Sequence, residues 1–387
     1  MDNLNLSISR RIKQHIVGKE HDFFIVTTPG LEELCVDELN SFPFLLENKG
    51  VIYGGVNFTG RVHDCYYTNL HLRTATRVLM RIHKFKSDNF RKLETKILDF
   101  PWELFIYKNS KFEISVKCIK SKLYHSDAVS ERFNKNILKR LNLNGDSKED
   151  ANKTQKFFVR AEFDNFTVSL DSSGDPLYKR GIKKQKADAP IRETTAAAIL
   201  KIAGYDGQEP LIDPMCGSGT FSIEAAMISQ NICSGIYRDF SFMDWPCFSE
   251  KRWLYIKNEA KKKIKINEPT IFASDKDEEI CTSFKDTIKN YDIFKTIKIS
   301  SINFFDLNPN DFSVETGLVV INPPYGLRLE SSNRILEEIF KKIIKDYKNW
   351  KFAVIVPNMN FKLPLKKFNS YKINHGGLNL ILLTGKA

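Results

Sequence analysis

The chain has 387 residues, of which 42% are hydrophobic and 27% charged, a composition that excludes intrinsic disorder and predicts two or three packed domains. No stretch approaches the roughly 18 consecutive apolar residues of a membrane span, and the N-terminus lacks the apolar core of a secretion signal, so we expect a soluble, cytoplasmic protein without a membrane partner. Lys and Arg number 59 against 47 Asp and Glu, and the formal charge of +12 favours a polyanionic partner such as nucleic acid.

The cysteines number seven and form neither a CxxC pair nor a Cys/His cluster. A structural zinc site requires closely spaced thiolate or imidazole ligands, and a disulfide framework usually has an even number of cysteines. We therefore expect no disulfide and no metal.

The first half of the chain combines strand and helix patterns, after an N-terminal segment of residues 1–21 that stays unassigned. A short strand over 23–28 precedes Thr28-Pro29, which supplies an N-cap and a proline at the first helical position, so a helix is predicted to begin there. Further predicted elements are a strand over 51–58, a helix over 64–81 and a strand over 112–118. This mixture predicts an α+β region.

A change of composition indicates where the domains divide. Residues 142–156 are polar and lack periodicity, which is typical of a loop, and two strands follow at 157–163 and 166–171. Residues 172–190 then bring together glycines, prolines and basic residues, as interdomain connections do. We predict two domains, over 22–178 and 179–387.

The second half alternates apolar strands with amphipathic helices, the pattern of a doubly wound parallel sheet. The predicted strands lie within 209–215, 270–275, 297–304, 318–324 and 351–357, and the predicted helices within 221–228, 277–291 and 334–347.

A glycine-bearing turn follows the first of these strands, in the sequence LIDPMCGSGT over 211–220. Gly217 and Gly219 allow a sharp turn and expose backbone amides to a ligand, while Asp213 places a carboxylate at the same rim. Neither the P-loop pattern nor the dinucleotide GxGxxG pattern is present. The turn suits a cationic nucleotide that carries an amino acid, such as S-adenosylmethionine (SAM); a purely structural turn is the alternative.

Carboxylates also follow the next two strands. Asp275 ends the strand over 270–275, and Asp306 follows the strand that includes 297–304. Ligands of open α/β sheets bind outside the carboxyl ends of the strands, where Asp275 can accept from ribose hydroxyls and Asp306 from an adenine amine.

The sequence Asn322-Pro323-Pro324-Tyr325 follows a fourth buried strand. The two prolines keep the segment extended, so the Asn322 side-chain oxygen and the Pro323 carbonyl can accept from one exocyclic amine. Tyr325 offers a flat face on which an unstacked base can lie. Methyl transfer to such an amine depends mainly on alignment and requires no metal.

These motifs, in this order, resemble the class I SAM-dependent N-methyltransferases of exocyclic base amines. The segments FFIVTTPGLEELCVDEL, SKLYHSDAVSERF and LYKRGIKKQKADAPIRETTAAAIL are similar to bacterial 23S ribosomal RNA guanine-N2-methyltransferases that carry a THUMP domain beside a ferredoxin-like module. The resemblance implies an α/β Rossmann-like methyltransferase domain over 179–387, preceded by an α+β ferredoxin-like/THUMP RNA-binding module over 22–178. It also implies methyl transfer from SAM to guanine N2.

The resemblance also implies roles for individual residues. The SAM-binding set is Asp213, Met215, Cys216, Gly217, Gly219, Thr220, Asp275 for the ribose and Asp306 for the adenine. The set that holds and methylates the target guanine is Asn322, Pro323, Pro324 and Tyr325.

Basic and aromatic residues of the connection and of the first half are expected to contact RNA. Arg73 and Arg77 stand four residues apart on the predicted 64–81 helix, a spacing that any solvated helix face also shows. The expected RNA-binding set is Arg73, Arg77, Lys122, Tyr124, His125, Lys179 and Arg180.

Two other functions compete with this interpretation. The amine-binding sequence would also suit an adenine-N6 DNA methyltransferase, and a vestigial SAM domain would leave a non-enzymatic RNA-binding assembly factor. The RNA partner is either 23S rRNA or a large-subunit assembly intermediate, and the sequence leaves the oligomeric state open.

Overall fold

The computed structural model describes residues 2–108, 110–142, 154–182, 191–265, 270–323, 329–357, 367–375 and 378–387. The chain forms two compact units, the first of residues 1–27, 35–177 and 238–257, and the second of residues 28–34, 178–237 and 258–387. Each unit contains one seven-stranded sheet. Within the described ranges, each helix is either too short or too polar to cross a lipid bilayer.

Helices and strands alternate irregularly along residues 2–171. In chain order they are α1 (Asp2–Ile12), β1 (His21–Thr27), α2 (Glu32–Asn40), β2 (Glu47–Ile52), β3 (Gly55–Gly60), α3 (Val62–His71), β4 (Ala75–Lys86), α4 (Phe90–Asp99), β5 (Phe112–Ile119), α5 (Ser126–Arg140), β6 (Gln155–Glu162) and β7 (Asn165–Asp171).

The first sheet has the strand order β2-β3-β1-β4-β7-β6-β5 and is antiparallel except for the parallel pair of β5 and β6. Alternating side chains of β1 enter the core, where Phe23 stacks on Phe58 of β3 with ring centroids 4.9 Å apart. Phe23, Ile25 and Thr27 are buried and the residues between them are partly buried, which is the period of two that a strand with one face on the core shows. The predicted α+β character of this half is confirmed.

The helix predicted over 64–81 was wrong in its second half. Helix α3 ends at His71, and residues 75–86 form the central strand β4, which pairs with β1 on one side and β7 on the other. A spacing of four residues places side chains on one face of a helix, but it also does so on a strand, whose period is two. The arginine spacing therefore could not distinguish the two, and hydrogen bonding to two neighbouring strands decided the outcome.

Two smaller predictions in this half also need correction. The single strand expected over 51–58 is a hairpin, because residues 53–54 turn the chain between β2 and β3. The helix expected to begin at Pro29 begins at Glu32 instead. Gly30 has a φ of +92°, a left-handed conformation that ends any helical path through this residue.

The helices and strands of residues 193–386 include the whole second sheet. In chain order they are α6 (Glu193–Ile202), β8 (Leu211–Asp213), α7 (Thr220–Ser229), α8 (Glu250–Lys262), β9 (Ile271–Asp275), α9 (Glu278–Ile288), β10 (Ile297–Ser301), β11 (Leu318–Ile321), α10 (Leu329–Asp346), β12 (Lys351–Pro357), β13 (Asn369–His375) and β14 (Leu378–Lys386).

The second sheet has the order β10-β9-β8-β11-β12-β14-β13. Strands β8 to β12 are parallel, as the alternation of strands and helices predicted, but β14 runs antiparallel to both β12 and β13. The sheet is therefore mixed rather than wholly parallel. A hairpin needs no crossover helix, so the alternating pattern gave no sign of these last two strands.

Residues 238–257 return to the first unit after the chain has entered the second. The Arg238 guanidinium donates hydrogen bonds to the carbonyls of Ser173, Asp175 and Pro176 at 2.6–2.9 Å. The rings of Phe242 and Tyr66 stack with centroids 4.4 Å apart. The sequence analysis predicted a single division near residue 179 and did not predict that a later segment returns to the first unit. The assignment of a THUMP domain within 22–178 stays a prediction.

Candidate active site

The residues singled out in the second half follow four neighbouring parallel strands. Strand β8 pairs with β9 on one side and β11 on the other, and β10 lies beyond β9. The chain order reverses between β8 and β11, which makes this the topological switch point, where open α/β sheets form a ligand crevice. Asp213, Asp275, Asp306 and Asn322 therefore belong to the same edge of the sheet.

The glycine turn after β8 is confined on one side and open on the other. Gly217 and Gly219 have φ angles of +50° and +74°, so both occupy the left-handed region that favours glycine. A Cβ on Gly219 would lie 2.0 Å from the ring of Phe284, whereas a Cβ on Gly217 would meet nothing within 4 Å. The open side at Gly217 is a place where a ligand can approach the backbone closely.

Asp213 lies beneath this turn rather than at its surface. Asp213 is only 1% exposed, and its carboxylate accepts a hydrogen bond from the Ser222 hydroxyl at 2.8 Å. Ser222 occupies the position of the third glycine in a dinucleotide fingerprint. The pair fixes the end of β8 against the first turn of α7, and Thr220 begins that helix as a buried residue.

Two side chains within the turn face the protein interior. Met215 is partly buried and packs against the apolar cluster of the second unit. Cys216 is buried, its amide donates to the Ser274 carbonyl at 2.9 Å, and burial together with nearby Asp213 raises the pKa of its thiol. A thiol held protonated is a poor nucleophile, so the site provides no activated cysteine at this position.

Asp275 holds the turn from the neighbouring strand. One carboxylate oxygen accepts from the Gly217 amide at 3.1 Å, and the other accepts from the Asp277 amide at 3.2 Å. An ionised carboxylate has about four acceptor positions, so those that remain can accept from the hydroxyls of a ligand. Asp277 itself caps α9 by accepting from the amides of Glu279 and Ile280.

Asp306 is the exposed end of a short 3-10 turn, Phe304–Asp306, that follows β10. The turn is held by the buried ring of Phe304 and by the Asp306 amide, which donates to the Asn303 carbonyl at 2.9 Å. The carboxylate is thus presented from a fixed backbone.

Asn322 follows directly after β11, whose four residues are each 0% exposed. The Asn322 side chain is partly exposed, and Pro323 is buried. A buried parallel strand between β8 and β12 allows its end little freedom, so the backbone that carries Asn322 is well fixed. Pro324 and Tyr325, the other two residues predicted for base binding, lie outside the described residues.

Two of the predicted RNA-binding arginines have partners inside their own units. The Arg77 guanidinium, 17% exposed, pairs with the buried Asp171 carboxylate and lies over the Phe158 ring at 5.5 Å. The Arg180 side chain is 2% exposed and pairs with Glu224 of α7 at 2.9 Å. Burial of Arg180 against Glu224 contradicts its predicted contact with RNA and gives it a role in packing. Arg77 is partly exposed, so its contact with RNA stays a prediction.

The other predicted RNA-binding residues lie nearer the surface. Arg73 is partly exposed, and its amide donates to the Glu38 carboxylate at 2.9 Å. The exposed members are Lys122, Tyr124, His125 and Lys179.

Sequence reasoning missed one residue that shapes the turn. The ring of Phe284 in α9 lies against Gly219, and Phe284 belongs to none of the motifs identified in the sequence. Only the packing of this helix on the sheet reveals it.

Two family models match parts of the chain. Residues 180–378 match the family model described as the RMKL-like methyltransferase domain, and residues 22–79 match the RlmL ferredoxin-like domain. YpsC of Bacillus subtilis (strain 168), named as a candidate RNA methyltransferase, is 33% identical over 87% of this chain and 88% of its own length.

A longer relative and a solved structure extend the comparison. The ribosomal RNA large subunit methyltransferase K/L of Psychromonas ingrahamii is 33% identical over 80% of this chain, which spans 42% of that relative. The crystal structure of SMU.472, a candidate methyltransferase complexed with S-adenosylhomocysteine, superposes with a TM-score of 0.84 and 25% identity, over 95% of this chain and 98% of the other.

Proposed function

The chain belongs to the RMKL-like methyltransferase family and is a SAM-dependent methyltransferase, and from that premise we propose that it methylates the exocyclic N2 of a guanine in large-subunit ribosomal RNA. The names of its K/L relatives support an RNA substrate of this class. The chain spans about half the length of those relatives, so the substrate is carried over as part of the proposal. We also propose a cytoplasmic location, because the relatives are bacterial and bacteria make their ribosomal RNA in the cytoplasm.

The residues of the glycine turn fit an adenosyl cofactor. The space beside Gly217 is open, Asp275 has acceptor positions left for ribose hydroxyls, and Asp306 presents an exposed carboxylate that can accept from an amine. When bound, SAM supplies an electrophilic methyl group. The contacts of the individual residues are part of the proposal.

The observation that carries the proposal is the position of Asn322 at the end of β11, directly beside β8 at the switch point. The Asn322 side-chain oxygen and the Pro323 carbonyl would accept the two hydrogens of a base amine. The nitrogen would then face the cofactor side of the crevice. Alignment of this kind supplies much of the rate of a group transfer, because it converts a bimolecular step into an effectively unimolecular one.

A methyl-transfer assay tests the reaction and the substrate together. The chain is incubated with tritiated SAM and either large-subunit rRNA, large-subunit particles or DNA, and the product is digested to nucleosides. We expect label in N2-methylguanosine from one of the two rRNA forms. Label in N6-methyladenine of DNA would establish the rival enzyme, and a chain that binds no SAM by calorimetry would fit the assembly factor instead.

A further inference from the structure

Two large aromatic rings of the first unit are exposed on neighbouring loops beside lysines. Tyr124 is 69% exposed and Phe163 is 59% exposed, although most described aromatic residues of this unit are buried or partly buried. Lys120, Lys122 and His125 are exposed next to them in the chain or in space. We call these five residues, Lys120, Lys122, Tyr124, His125 and Phe163, the aromatic surface.

Phe163 occupies a backbone conformation that a phenylalanine seldom adopts. It and Asp164 form the two-residue turn between β6 and β7, with φ angles of +49° and +65°. Such hairpin turns favour Asn, Asp or Gly, because a side chain with a bulky Cβ substituent is strained there. Stability alone would favour Asn at this position, so the exposed ring lowers the stability of the turn.

Asp164 forms hydrogen bonds that connect the two loops that carry the rings, and a further hydrogen bond connects them to the segment that contains Ser87. Its amide donates to the Ser121 hydroxyl at 3.1 Å, and its carboxylate accepts from the Lys122 amide at 2.7 Å. Its carbonyl accepts from the Ser87 amide at 2.9 Å. These bonds hold the aromatic surface in a fixed arrangement before any ligand arrives, which lowers the entropic cost of binding.

The charged groups of the surface remain available to a ligand. The Lys120 ammonium lies 5.6 Å from the centre of the Phe163 ring, and the Tyr124 and His125 rings lie 4.2 Å apart at a tilt of 39°. Lys122 approaches Asp88 at 3.8 Å, with the lysine side chain 71% exposed. An exposed pair of this kind is worth little, so Lys122 can exchange Asp88 for a phosphate.

We propose that the aromatic surface binds an unpaired RNA segment that accompanies the target guanine, with bases stacked on Phe163 and Tyr124 and phosphates neutralised by Lys120 and Lys122. This proposal rests on the proposed function. Flat rings beside lysines suit a single strand, because its bases expose the faces on which aromatic side chains stack, whereas the bases of a duplex are stacked on each other.

The test measures binding of the full chain to a short single-stranded RNA that carries 2-aminopurine, whose fluorescence reports stacking. Phe163→Asn removes the ring but gives the turn a residue that it favours, and we expect about tenfold weaker binding with unchanged or improved thermal stability. Tyr124→Ala should weaken binding by a similar factor, and Tyr124→Phe should restore it, because the flat ring is what stacks.

Tyr53→Ala is the matched control. Tyr53 is 88% exposed in the β2–β3 turn of the same unit but lies outside the aromatic surface, so its loss should leave binding unchanged. Lys122→Gln should also lower the salt dependence of binding, by about 0.7 in the slope of log K against log salt, since one phosphate contact is lost.

Several outcomes would overturn the proposal. They are equal affinities of Phe163→Asn and the parent chain, equal binding of the duplex form of the same RNA, and an affinity of Tyr53→Ala as low as that of Tyr124→Ala. The oligonucleotide assay does not depend on methyl transfer. If bases stack on the aromatic surface but no N2-methylguanosine forms, only the proposed function is contradicted. If N2-methylguanosine forms but no bases stack on the aromatic surface, only the proposed binding by this surface is contradicted.

Discussion

The sheet edge of the second unit and the aromatic surface of the first unit are built in opposite ways. At the sheet edge, Asp213 is 1% exposed and Gly219 leaves no room for a Cβ beside Phe284. On the aromatic surface, Tyr124 is 69% exposed and the lysines face solvent. Group transfer needs reacting atoms held to within tenths of an ångström, whereas contact with a long polyanion can be divided among many weak, exposed groups. Substitutions at the sheet edge should therefore have large effects on activity, whereas single substitutions on the aromatic surface should each have a small effect on binding.

The largest effect is expected at Asn322. Asn322→Ala should lower kcat for methyl transfer by at least about 1,000-fold with SAM affinity nearly unchanged, because it removes an acceptor that aligns the amine and leaves the glycine turn intact. Single-turnover methylation and calorimetry with SAM measure the two quantities. Asp306→Ala is the matched variant, and it should weaken SAM binding instead. A kcat equal to that of the parent chain in Asn322→Ala would contradict the proposed alignment.

The next effect tests buried against exposed charge pairs. Arg180→Ala should lower the free energy of unfolding by about 3–5 kcal/mol, because it leaves the Glu224 carboxylate, 0% exposed, without this cation. Lys156→Ala removes an exposed pair with Glu113 in the first unit and should cost less than about 1 kcal/mol. Urea unfolding of the full chain measures both. Similar losses of unfolding free energy in the two variants would show that burial does not make the Arg180–Glu224 pair more important than an exposed pair.

A glycine pair sharpens the comparison within one turn. Gly219→Ala should cost about 3 kcal/mol of stability, because it adds a clash with Phe284 to the strain of a left-handed backbone. Gly217→Ala has the strain without the clash and should cost about 1 kcal/mol. Thermal unfolding in the absence of SAM measures the difference. If Gly217→Ala were the less stable variant, the assignment of the open side would be wrong.

The last comparison asks whether burial alone explains the contrast, since the first unit also contains a buried carboxylate. Burial raises the pKa of Asp171 from its ordinary value of 3.8 to about 6, although Arg77 opposes the shift. The folded chain then binds a proton that the unfolded chain releases. The free energy of unfolding should therefore fall as the pH rises from about 4 to about 6.

Asp171→Asn should flatten this fall, which urea unfolding at a series of pH values would detect. Asp22 is the matched control, because its exposed carboxylate bonds to Lys84, which lowers its pKa. Its contribution is lost only below about pH 4, so Asp22→Asn should leave the slope between pH 4 and 6 unchanged. A slope in Asp171→Asn equal to or steeper than that of the parent chain would contradict the assignment.

Sequence reasoning predicted most of the second sheet because β8, β9 and β11 are largely apolar and each is followed by a helix. The strand ends that carry Asp213, Asp275, Asp306 and Asn322 were identified in this way, and the parallel pairing of β8 to β11 confirms their common edge. The prediction was weaker in the first half, where the helix expected over 64–81 ends at His71 and residues 75–86 form the central strand β4. Arginines four residues apart lie on one face of either a helix or a strand, so their spacing does not indicate which of the two forms.

The sequence by itself determined the order of the strands that carry chemistry and the residue types at their ends, because local pattern and turn chemistry are properties of neighbouring residues. Only the tertiary structure decided which charges are used internally. Arg180 meets Glu224 across 44 positions of sequence and Arg77 meets Asp171 across 94, so no local pattern could show that these cations are already paired. It also decided that Phe163 stays exposed, since the burial of a ring depends on what the rest of the chain places against it.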